Sequence, residues 1–126
     1  MGKTIAMVGG WIVVLLGVLG FFPNPIVGEG ATFHADMMHN VIHIILGALL
    51  LWTVYSRPAK MAMMLKTVGG IFLALAVLGF VLVSGTGSLL GLAEVNSADH
   101  VLHLVLGVVF LWAGMQAGKR SMSATM

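Results

Sequence analysis

The chain contains no cysteine, so a disulfide framework, a thiolate metal site and a redox thiol are all excluded. Charge is nearly as scarce. Only 8% of residues are Asp, Glu, Lys or Arg against 60% hydrophobic, which is far from the balance of a chain that folds in water. Six Lys and Arg give a net charge of +2, but they form no basic stripe, so a nucleic-acid partner is excluded. No nucleophile elbow, phosphate loop or HExxH occurs, and nothing in the sequence argues for an enzyme. The solvent implied for most of the chain is the lipid bilayer.

What is present is a duplicated stretch. His39 to Trp52 (HNVIHIILGALLLW) returns sixty residues later as Asp99 to Trp112 (DHVLHLVLGVVFLW), with six of fourteen positions identical, His43/His103, Gly47/Gly107 and Trp52/Trp112 among them. A second pair of matches, MVGG with TVGG and VLGF with VLGF, lies ahead of each copy. The chain therefore reads as a single transmembrane domain over residues 1–126, with repeat one at 4–56 and repeat two at 63–117.

Thr4 to Phe22 is an uninterrupted apolar run about 28 Å long as a helix, enough for a hydrocarbon core of about 30 Å. Lys3 ahead of it suggests a signal peptide, but Pro23 and Pro25 stand where a small-residue cleavage site belongs. The loop to Asp36 is rich in Pro and Gly. A second span needs to start near Asp36, a good N-cap, to be long enough to cross. A third runs from about Met63 to Ser84, and a fourth from near Asn96 to about Ala117, with Gly85 to Ala98 as a second loop. Glycines at 9, 10, 17, 20, 69, 70 and 79 would let helices approach closely.

The expected fold is all-α: a transmembrane four-helix bundle of two parallel-repeat helical hairpins, related by a pseudo-two-fold axis along the membrane normal. Lys3, Arg57, Lys60, Lys66, Lys119 and Arg120 all fall at the termini or the middle loop, and every acid and histidine falls on the other side. By the positive-inside rule both termini are cytoplasmic, with Trp52, Tyr55 and Trp112 toward the inner interface.

The polar residues gather where helices 2 and 4 begin. His39 and His43 are four apart, as are Asp99 and His103, so each helix would offer an i, i+4 chelate, with His100 alongside. Ionisable groups at membrane depth are functional candidates. His39, His43, Asp99, His100 and His103 are the candidate metal ligands, a set suited to a divalent metal such as Zn or Cu.

Two other readings use the same residues. The cluster would serve as a hydrogen-bonded cap in a structural or interaction subunit of a homo-oligomer or larger membrane complex. Alternatively, His43 and His103 would be axial ligands of a haem or chlorophyll-like ring, admitted by Gly47 and Gly107 one turn below. A proton relay would stop halfway, since nothing ionisable continues to the inner face. Met37 and Met38 read as apolar filler, Asn40 as a partner that would orient an imidazole, and His34 and Glu94 as exposed loop residues.

VLGF closing the first and third runs, HNVIHIILG opening the second and ADHVLHLVLG opening the fourth together resemble a widespread bacterial family of small four-helix integral membrane proteins catalogued only as a domain of unknown function. The resemblance covers nearly the whole chain and rests most firmly on Asp99, Leu102, His103 and Gly107. It implies four spans in a bacterial plasma membrane and no particular activity.

Overall fold

The computed structural model describes residues 2–125, and side chains up to Lys119. Four helices, α1 (Gly2–Leu19), α2 (Met37–Ser56), α3 (Met61–Leu82) and α4 (Ser97–Thr125), are joined by two long loops and a short 3-10 turn at Pro58–Lys60. All four are long and apolar enough to cross a membrane. Their outward faces carry Leu15, Ile45, Val77 and Val105, so the helices are hydrophobic all round, as membrane spans are. The fold is the expected four-helix transmembrane bundle.

Packing is tightest within each hairpin, α1 against α2 and α3 against α4. Small residues explain it. A Cβ added at Gly47 would come 2.7 Å from the Gly10 carbonyl oxygen, and one at Gly69 or Gly107 would come 3.0 Å from the other's carbonyl oxygen. Backbone therefore meets backbone at the same place in both hairpins. In structure Gly10 corresponds to Gly69, an offset of fifty-nine, which is also the offset between the two VLGF segments. Gly70, expected at a helix contact, has open space beside it. Between the hairpins lies a common core that includes Val13, Leu50, Leu65, Phe72 and Phe110.

Helix α1 ends three residues before the apolar run does. Phe21 and Phe22 donate their N–H groups to Val18 and Leu19 in tightened i to i−3 bonds, and the Asn24 amide donates to the Leu19 carbonyl at 2.8 Å. The Asn24 side-chain oxygen also accepts from the N–H groups of Ile26 and Val27, so one polar residue between two prolines stops the helix and shapes the loop. Helix α4 continues past Ala117 to Thr125.

The second loop is more ordered than its composition suggests. It holds a short antiparallel hairpin, β1 (Gly87–Leu89) with β2 (Ala93–Val95). The turn places Leu90 at φ 56° and Gly91 at φ 72°, and Leu92 N–H donates to the Leu89 carbonyl at 3.0 Å. Two positive φ values in sequence make the tight turn whose twist suits a hairpin, with Gly91 supplying one of them. Leu89 and Val95 pack on Val83, Leu75 and Leu78 and fix the hairpin against α3.

Candidate metal centre

Asp36 caps α2. Its backbone is extended and its carboxylate accepts the His39 N–H at 2.9 Å, which fixes His39 in the first helical turn. His43 follows one turn later on the same face, and the two Nε2 atoms lie 3.1 Å apart. The His39 Nδ1 lies 2.8 Å from the Glu94 carbonyl oxygen in β2. A carbonyl only accepts, so Nδ1 carries the proton and Nε2 is left with a free lone pair turned toward His43. That is the arrangement in which a backbone carbonyl orients an imidazole for a metal.

The third imidazole comes from α4. His103 stands with its ring centre 5.5 Å from that of His39 and 5.7 Å from that of His43. One ring nitrogen from each of the three lies within 4.8 Å of the others, and all three residues are buried. Among the described residues, neither nitrogen of His103 has a hydrogen-bond partner. A buried polar atom left unpaired costs about 1–3 kcal/mol, so both nitrogens of this ring call for a further partner. Nitrogens on one tetrahedral metal at about 2.0–2.1 Å are about 3.3 Å apart, so the trio would close by up to about 1.5 Å to hold one.

Two expected ligands stand outside the trio. Asp99 has the i, i+4 relation to His103 that His39 has to His43, yet it is absent from the trio. Its carboxylate accepts the Asn96 N–H at 2.9 Å while the Asn96 side chain accepts the Asp99 N–H at 3.0 Å, a reciprocal cap at the start of α4. His100 faces α3 instead. It packs on Gly79, its ring centre is 5.2 Å from that of Phe80, and its Nε2 donates to the Val83 carbonyl at 3.4 Å. Asn40 holds the matching place on α2, packed on Gly20 with its side-chain oxygen unpaired, and does not orient an imidazole.

The space beside the trio is a cavity of about 40 Å³, walled by Ile42, Phe72, Leu75, Leu89, Leu92, Ala93 and Val95. A tetrapyrrole does not fit there. Gly47 and Gly107, the expected slot for its plane, are filled by Val14 and Leu73 within their own hairpins. His43 and His103 stand instead with His39 as two corners of the trio.

The two long loops close this end of the bundle over the rings. His34 reaches the Glu94 carboxylate, and the Asn96 amide donates to the Thr32 carbonyl at 3.1 Å, joining the first loop to the second. The part played by Glu94 was not foreseen, because the atom that holds His39 belongs to its backbone and leaves no mark in residue type.

Residues 3–116 match a family model described as a domain of unknown function, DUF4383. No curated protein and no solved structure matches the chain.

Proposed function

The chain belongs to the DUF4383 family, and for it we propose the role of a membrane-embedded metal-binding or accessory protein that holds one divalent transition metal, Zn or Cu, on His39, His43 and His103. The observation that carries this reading is the convergence of three buried imidazoles, one oriented by the Glu94 carbonyl and one with both nitrogens unpaired. Three neutral nitrogen donors suit either metal, and the imidazoles alone do not choose between them. The charge distribution supports an orientation with both termini in the cytoplasm of a bacterial cell and the centre near the outer face of the plasma membrane.

Competition against a chromophoric chelator, on protein purified without a His tag, tests the centre. The unaltered chain should take up one equivalent of Zn²⁺, and His103→Ala should bind at least about a hundredfold more weakly, more than loss of a supporting partner costs. Equal affinity in the two proteins would overturn the assignment.

A second reading draws on the loop contacts. The His34–Glu94 pair and the Asn96–Thr32 bond knit the outer end together, as a structural subunit of a larger complex or homo-oligomer would need. It predicts that the same histidine substitution lowers stability and leaves metal affinity unchanged.

A further inference from the structure

A metal on these three histidines would have one face without a protein ligand. The imidazoles ligate as neutral bases, so they leave the ion its full charge. None of the three nearby carboxylates is a ligand within the site: Asp36 is turned to the His39 N–H, Asp99 to the Asn96 N–H, and Glu94 to His34. The free face opens on the 40 Å³ cavity, whose walls apart from the three histidines are entirely apolar side chains.

We propose that this cavity is an anion subsite, taking one small monovalent anion such as hydroxide, a halide or a linear pseudohalide as the fourth ligand of the metal. The inference rests on the metal reading above. An uncompensated dication in apolar surroundings attracts an anion far more strongly than it would in water, because the low dielectric magnifies the Coulomb interaction. Four-coordination is the norm for zinc, and a centre with three protein ligands leaves the fourth place to water or an added ligand. Size sets the limit. A cavity needs roughly 10–15 Å³ to hold one water, so the space takes one small ligand and excludes a branched carboxylate. Binding is ligand exchange at the metal: a halide or pseudohalide displaces a bound water intact, while hydroxide forms when that water loses a proton to solvent.

The wall residue that tests this is Ala93, on β2 and outside the metal ligands. A leucine there would put three more carbons into the cavity without touching a donor.

The experiment uses the full chain in detergent, loaded with Co²⁺, whose visible ligand-field bands report its coordination. Azide should shift the bands with a saturable one-site curve, acetate should not, and Ala93→Leu should keep one Co²⁺ per chain while weakening azide about tenfold or more. One Co²⁺ per chain with bands that azide leaves unchanged would overturn the anion subsite and leave the metal centre standing. An azide response that acetate reproduces, or that folded Ala93→Leu leaves intact, would overturn the cavity as its location. If Ala93→Leu does not fold, the azide and acetate titrations of the unaltered chain decide alone. Failure to bind Co²⁺ at all would overturn the metal centre and the subsite together.

Discussion

His34 and Glu94, sixty residues apart at matched places in the two long loops, meet side chain to side chain at 3.1 Å. Each was expected to lie free at the surface. Together they pin the first loop to β2, and the same Glu94 uses its backbone oxygen to orient His39.

The two contacts of Glu94 separate under mutation. Glu94→Gln removes the charge and keeps the carbonyl, and with the pair only partly buried it should cost about 1 kcal/mol. Metal affinity should be unchanged. Thermal unfolding in detergent and a chelator titration on the same sample check both halves. A large loss of affinity would mean that the carboxylate, rather than the backbone, governs the centre.

Adjacent glycines should respond in opposite directions. A Cβ at Gly69 would lie 2.6 Å from the Leu111 backbone nitrogen, so Gly69→Ala must push α3 and α4 apart, at about 1–3 kcal/mol. Gly70 has open space, and Gly70→Ala should stabilise by roughly 0.5–1 kcal/mol through helix propensity. Denaturation of the two variants side by side gives the comparison.

Asp99→Ala and His100→Gln should keep the metal. Asp99→Ala loses half of the reciprocal cap on α4 and should cost roughly 1 kcal/mol of stability. Metal content and melting temperature separate the two effects, and loss of metal in either variant at full stability would return that residue to the ligand set.

Much of the fold was legible because its causes are local or periodic. Asp36 and Asn96 sit just ahead of apolar runs, and both cap the helices that begin there. His39 and His43 share a face by helical spacing alone. The same spacing does not bring Asp99 into the trio with His103, and Asn96 three residues before Asp99 carried the signal of the reciprocal cap that holds its carboxylate. The walls of the cavity were not legible. Phe72 reaches the centre from another helix and Leu92 from a hairpin, and the contacts between distant segments that bring them there follow no spacing rule.

A chain without cysteine lends itself to a topology test. Glu29→Cys in the first long loop should react with a membrane-impermeant maleimide in intact cells, and Ala59→Cys in the middle turn only after lysis. Both positions are exposed. The reverse pattern would invert the orientation drawn from charge.

Elemental analysis of protein taken from native membranes, purified without a His tag, tests the three-histidine centre most directly. About one transition-metal ion per chain is expected in the unaltered protein, the stoichiometry of a single site, and none in the His43→Ala, His103→Ala double variant. Metal-free native protein, or metal that stays in the folded double variant, would contradict it.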